Sequence, residues 1–188
     1  MPLITLDANT ALIVIDLQKG IAGGKFIHPI AEILDWTRRL LNVFRAKNLP
    51  VVLVNVAGRA PGRTELGPRS GLSLSEGWTD LLPELNQQPR DLVVTKRSWG
   101  AFATTDLESQ LQARDVTQVV VTGVVTSGGV EATARQAYEQ GFNVALAIDA
   151  MTDLREESHQ YSIANVFPRI GETGTAQNIL DLLSKRSA

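Results

Sequence analysis

Apolar residues along this chain fall into two alternating patterns. Short, nearly unbroken runs occur at 11–15 (ALIVI), 51–56 (VVLVNV), 91–95 (DLVVT), 119–121 (VVV, within QVVVTGVV) and 144–148 (VALAI). Runs without polar alternation are the mark of parallel strands buried on both faces. Between them the apolar residues take helical spacing. Ile30, Ile33, Leu34, Leu40, Leu41 and Phe44 share one helical face until Asn48 and Pro50 end it. Thr105-Asp106-Leu107-Glu108 reads as a capping box opening a helix that ends near Arg114. Val130, Ala134, Ala137 and Tyr138 form a further helical face closed by Gly141. Two more helices are predicted, from about Arg155 to Phe167 and from Thr175 to Lys185, with a short one over Trp78–Leu85 and a short edge strand over 167–171. Strands alternating with helices predict an α/β fold: a three-layer α/β/α sandwich on a mostly parallel, Rossmann-like sheet of five to six strands, as a single domain over 1–188.

Composition narrows the chemistry. The chain has no cysteine, so disulfides, thiolate metal sites and a cysteine nucleophile are all excluded. Two histidines, His28 and His159, supply a histidine metal site poorly, and none is expected. A formal charge of −2 gives no electrostatic reason to expect nucleic acid as partner. No apolar run approaches the ~20 residues of a membrane span and no leader pattern opens the chain, so the expectation is a cytoplasmic protein without a membrane partner.

In parallel α/β sheets, ligands bind beyond the carboxyl ends of the strands. Asp16, Lys96 and the turn Val125-Thr126-Ser127-Gly128-Gly129 each follow such an end, so the fold is expected to gather them. A carboxylate and an ammonium in a dry cleft shift each other's pKa and serve as acid, base or anchor. The plainer alternative is that Asp16 caps a loop or helix and Lys96 is a solvated strand end. Trp99 and Phe102, just beyond Lys96, are expected to line an apolar pocket or to pack the next helix. Arg59, Arg63 and Arg69 lie in a glycine- and proline-rich loop, 57–76, long enough to be functional or simply solvated. Neither a GxxxxGK[ST] nor a GxGxxG motif follows a strand, so nucleotide cofactors lack their phosphate cradle. Ser127, Asp149 or Asp153, and His159 stand in the chain order of a serine triad, but Val125 replaces the first glycine of the nucleophile elbow.

Four blocks resemble the isochorismatase-like, or cysteine-hydrolase, superfamily: ALIVIDLQ at 11–18, TKRSWGAF at 95–102 followed by TDL, TGVVTSGGVEATAR at 122–135, and NVALAIDAMTD at 143–153. The resemblance implies the α/β sandwich, assembly as a homodimer or higher homo-oligomer, a small-molecule substrate and a site made by an aspartate, a lysine and a cysteine. Carried over, these roles fall on Asp16, Lys96 and Gly129, with Gln18, Trp99, Phe102, Val125, Thr126, Ser127 and Gly128 as substrate-binding candidates. It also implies a non-proline cis peptide, expected at Val125–Thr126.

Glycine at 129 departs from the cysteine pattern, because it offers no thiolate to form an acyl intermediate. The metal-binding histidines of nicotinamidases are also missing after the second strand, where the chain reads NVAGR. In the isochorismatases the nucleophile position is likewise glycine, although their turn carries Tyr-Ala-His where this chain has Val125-Thr126-Ser127. The resemblance therefore implies a cofactor-independent hydrolase of a small carboxylated substrate. Vinyl-ether hydrolysis of isochorismate by Asp16, with backbone N–H groups at 128–130 holding a substrate oxygen, is the specific expectation. The alternative is a family member without catalysis that binds a small ligand or a partner protein. A thermal-shift ligand screen followed by turnover assays on any hit separates the two, and amidase or esterase activity appearing in Gly129→Cys would show that the rest of the machinery is intact.

Overall fold

A computed structural model describes residues 3–65 and 74–185. Along the chain run β1 (Thr10–Ile15), a single turn α1 (Lys19–Ala22), α2 (Ile30–Ala46), β2 (Val51–Val56), β3 (Leu92–Lys96), α3 (Leu107–Gln112), β4 (Gln118–Val124), α4 (Glu131–Glu139), β5 (Asn143–Thr152), α5 (Glu156–Tyr161), β6 (Glu172–Gly174) and α6 (Ala176–Ser184). The six strands form one sheet in the order β3-β2-β1-β4-β5-β6, and every neighbouring pair is parallel. Strand order reverses between β1 and β4, and in such sheets the crevice outside that switch point is where ligands sit.

Residues of β1 alternate between two buried layers. Ile13 and Ile15 pack with Val121, Val130, Ala134 and Leu107 on one side, while Leu12 and Val14 pack with Ile33, Leu40, Phe44 and Ile179 on the other. The helices therefore cover both faces, giving the expected three layers, and the sheet needs no polar alternation because neither face meets water.

Several boundaries differ from the sequence expectation. The capping box at 105–108 does not close: Thr105 Oγ1 donates to Ala101 O at 2.6 Å and accepts from Leu107 N at 3.2 Å, while Glu108 accepts from Gln112 instead of reaching back. No regular helix forms over 78–85 beyond a 3₁₀ turn at Pro83–Leu85. β5 runs past Ile148 to Thr152, its register against β4 slipping so that Leu146 faces Val121 and Met151 faces Gly123. Asp149 thus lies inside the strand, where its Oδ1 accepts from Ala176 N at 2.6 Å and caps α6. The helix expected over 155–167 keeps regular geometry only to Tyr161, and continues as a wide π-type turn (Ser162–Val166) and a 3₁₀ turn (Phe167–Arg169). Pro168 lacks the N–H a continuing helix needs. The edge strand is accordingly Glu172–Gly174, after those turns.

Candidate active site

β1 ends abruptly at Asp16. Its N–H still pairs with Val54 O at 2.9 Å, but its φ of 53° lies in the left-handed region that non-glycine residues seldom enter. Such strain persists where surroundings enforce it, often at functional sites. Gly123 makes the approach possible: it faces Ile15, has φ of 113°, and any Cβ there would collide with the Ile15 carbonyl.

Lys96, the last residue of β3, reaches across the end of the sheet to Asp16. Its Nζ lies 2.8 Å from Asp16 Oδ2 and donates to Trp99 O at 2.5 Å. The lysine is 1% exposed and the aspartate 5%. Asp16 Oδ1 is buried with no hydrogen-bond partner among the described residues. Burial pushes the Asp16 carboxyl up to about 6, against the opposing pull of the Lys96 ammonium.

Gly129 lies beneath this pair. It belongs to a π-type turn, Thr126–Val130, that joins β4 to α4 and is kinked at Gly128 (φ −118°, ψ −105°). A Cβ built on Gly129 falls 2.9 Å from Asp16 Oδ2 and 3.0 Å from Lys96 Nζ. Asp16, Lys96 and Gly129 are therefore together.

The other candidates divide. Gln18 is buried and works as a clamp: its Nε2 donates to Val56 O and Trp78 O, both at 3.1 Å, and its Oε1 accepts from Val56 N at 2.7 Å. Trp99 presents its carbonyl to Lys96 while its indole is exposed. Phe102 points into the core, its ring 6.0 Å from that of Phe142, and so packs rather than lines a pocket. The cis peptide is Val124–Val125, one bond earlier than expected. Gly128 N and Val130 N both donate to Val125 O, at 3.0 and 3.2 Å. Those two amides are spent on closing the turn, which corrects the expectation that they hold a substrate oxygen.

A polar cluster behind the turn was hidden from sequence reasoning. Thr126 Oγ1 and His159 Nδ1 are 2.8 Å apart and both residues are buried. Burial lowers the His159 pKa, helped by neighbouring His28, whose ring meets it edge-on at 5.2 Å, and opposed by Glu156 and Asp153. Asp153 accepts from Ser127 N and Leu154 N, both at 2.7 Å. Ser127, Asp153 and His159 thus form no triad, since the aspartate takes a backbone amide and the imidazole takes a threonine. The chain order of a triad had already singled out Ser127, Asp153 and His159, but nothing in the sequence pairs Thr126 with His159. Ser127 also borders a groove of about 810 Å³ between α4 and α5, lined by Glu131, Arg135 and Tyr161.

The metal-binding set of nicotinamidases finds no counterpart among the described residues. Asn55, near the end of β2, gives its amide N–H to Thr79 O at 2.8 Å, and among the described residues no three His, Cys, Asp or Glu side chains gather to hold a metal ion. Of the loop arginines, Arg59 and Arg63 are exposed, and Arg69 lies outside the described residues. No helix among the described residues is long and apolar enough to cross a membrane.

The parallel α/β sandwich with a buried acid–lysine pair at its switch point is the arrangement that the resemblance to the isochorismatase-like hydrolases implies, and comparison with known proteins agrees. Residues 10–178 match the isochorismatase domain, and the chain belongs to the isochorismatase family of hydrolases. It is 39% identical over 183 residues to the isochorismatase family protein YecD of Escherichia coli O157:H7, covering 93% of this chain and 96% of that one. It is 38% identical over 141 residues to the streptothricin hydrolase of Streptomyces noursei, covering 74% of this chain and 48% of the enzyme. The solved structure of an isochorismatase family protein from Burkholderia thailandensis superposes with a TM-score of 0.91 at 36% identity, covering 96% of this chain and 98% of that one.

Proposed function

We propose that this hydrolase cleaves the vinyl ether of a small carboxylated substrate of the isochorismate type, with Asp16 as its acid and no covalent intermediate. The reading is carried by Asp16 itself, a carboxyl pushed up to about 6 with one buried oxygen unpartnered, set above a residue that has no side chain. At pH 7 such a group keeps roughly a tenth of its population protonated, against under about one in a thousand for an ordinary aspartate.

In the step proposed, protonated Asp16 gives its proton to the methylene carbon of the enol ether, forming a C–H bond and an oxocarbenium ion that the resulting carboxylate faces. Water adds to the cationic carbon and returns a proton to Asp16. The hemiketal then collapses, breaking the C–O bond to release pyruvate and the alcohol. Lys96, held by Trp99 O, fixes Asp16 Oδ2 and leaves Oδ1 to the substrate. The test is pyruvate release from isochorismate by the wild type and Asp16→Asn. Turnover by the wild type and its loss in the variant are expected; a wild type that releases no pyruvate rejects the substrate.

A further inference from the structure

We infer that Gln18 is a positioning residue: its side-chain amide stands in for a peptide unit of β1, adding a rung to the β1–β2 ladder so that the main chain can leave the sheet at Asp16 and turn that carboxylate toward Lys96. The catalytic meaning of this placement rests on the reading of Asp16 as the acid.

A parallel ladder follows a fixed order, in which a residue donates to the position before its partner and accepts from the position after it. Leu12, paired with Val51, donates to Pro50 O at 2.9 Å, and Ile15 faces Val54. One step on, Asp16 keeps half of the pattern, its N–H donating to Val54 O at 2.9 Å. Continued, the ladder would bring Val56 N to Asp16 O and the N–H of residue 18 to Val56 O. The main chain is spent elsewhere. Asp16 O accepts from Gln18 N at 2.9 Å, and the chain beyond changes partners, Lys19 N donating to Asp80 O and Leu82 N to Leu17 O. The Gln18 side chain supplies both bonds in its place: Oε1 accepts from Val56 N at 2.7 Å and Nε2 donates to Val56 O at 3.1 Å. A primary amide can do this because it carries a carbonyl and N–H donors, as a peptide does.

Strand alternation shows what leaving the sheet accomplishes. Ile15 and Val54 face the layer of Val130 and Ala134, while Val14 and Leu53 face the layer of Phe44. A regular strand would send residue 16 to the Phe44 side. The left-handed turn at Asp16, φ 53°, reverses this and brings Oδ2 beside Gly129, 2.8 Å from Lys96 Nζ. Without the Gln18 amide, the N–H and C=O of Val56 lose these partners, and the nearest remedy is for Asp16 to resume the strand and accept from Val56 N itself. That remedy carries the carboxylate away from Lys96. Gln18 is 0% exposed and its amide is engaged by Val56 N, Val56 O and Trp78 O, so it serves the site by placing Asp16 rather than by binding substrate.

The test measures the contact that Gln18 holds in place. The Asp16 side-chain carboxyl is followed by ¹³C NMR through a pH titration of the full chain, with and without Lys96→Met, in the wild type, Gln18→Met and Asn55→Leu. Lys96→Met is expected to raise the Asp16 midpoint by about one unit or more in the wild type, the size of losing one close opposite charge. In Gln18→Met, where the two groups no longer meet, the rise should be less than about half as large. Asn55 is the control, because it ties the neighbouring carbonyl, Thr79 O, to β2 at 2.8 Å. Asn55→Leu loosens the same stretch and should keep the wild-type response. A response of full size in Gln18→Met, or one equally reduced in Asn55→Leu, overturns the inference. Should Gln18→Met fold poorly, Gln18→Asn keeps an amide but withdraws it by one carbon, about 1.5 Å, and carries the same expectation. Because the readout needs no substrate, failure of isochorismate turnover and failure of this inference are read separately.

Discussion

Strand β3 carries one member of a buried ion pair at each end, and the two pairs are built to opposite specifications. At its amino end Asp91 accepts from Arg45 Nη2 at 2.6 Å, Arg45 Nε at 3.3 Å and Gln88 N at 2.8 Å, while Arg45 also donates to Leu85 O. Both carboxylate oxygens are satisfied. At the carboxyl end Asp16 receives Lys96 on one oxygen and nothing on the other. Burial is similar: the side chains are 9% and 1% exposed for Arg45 and Asp91, and 1% and 8% for Lys96 and Asp16. Burial of opposite charges therefore does not separate structure from chemistry here. Saturation does: a fully bonded pair has nothing left to offer a ligand, whereas an under-bonded one costs stability and keeps an atom for reaction.

The sharpest break of this comparison is Asp16→Asn. It is expected to lower kcat/KM for isochorismate by about 10²–10⁴-fold, the usual worth of a general acid. Because the acid must be protonated, wild-type kcat/KM is expected to fall about tenfold per pH unit above about 6. Stability gives the same sign. Asp16 has a folded pKa raised from 3.8 to about 6, so folding takes up a proton in that window. Its stabilising contribution is present in full below 3.8 and is lost as pH rises through about 6, at up to about 1.4 kcal/mol per unit. The urea midpoint of the wild type relative to Asp16→Asn should decline across that window. A parallel pair of curves would remove Asp16 from the account.

Next in size is Arg45→Met. Stranding Asp91 is expected to cost about 3–5 kcal/mol in urea unfolding while leaving kcat/KM unchanged in the folded protein. A large fall in kcat/KM would mean that the two ends of β3 are not independent. Lys96→Met comes third. Removing the opposing charge should raise the Asp16 pKa further and carry the descending limb of the pH–rate profile to higher pH by about one unit or more. A limb that moves to lower pH contradicts the assigned role of Lys96.

The halves of this comparison were unequally legible in the chain. Strands were readable because burial on both faces leaves unbroken apolar runs, and Asp16 and Lys96 were readable because each ends such a run. Arg45 was lost inside the apolar face of α2, where its spacing looks like any other helical arginine. Phe102 was misplaced because nearness to Lys96 in sequence says nothing about the direction of a ring that turns back to Phe142. α5 was overextended because residues at 162–167 keep helical spacing while the backbone widens into a π-type turn. Gln18 was read as a substrate contact because its bonds to Val56 join residues far apart in sequence, and no local pattern encodes them.

The smallest expected effect concerns a third buried polar pair, this one neutral. Thr126→Val removes the hydroxyl that meets His159 Nδ1 at 2.8 Å while nearly keeping the side chain's shape. Burial keeps His159 below its ordinary pKa, so at pH 7 the pair exchanges one neutral hydrogen bond and no ionic attraction. Losing it should cost about 1–2 kcal/mol, mostly the unpaired imidazole nitrogen, measured as a shift in urea midpoint at unchanged m-value. Gly129 is held separately through Thr133 and Ala101, so the Asp16 titration should stay where it is. A shifted Asp16 midpoint in Thr126→Val would mean that the turn transmits strain to the acid, and that saturation at one carboxylate is not sufficient to describe the site.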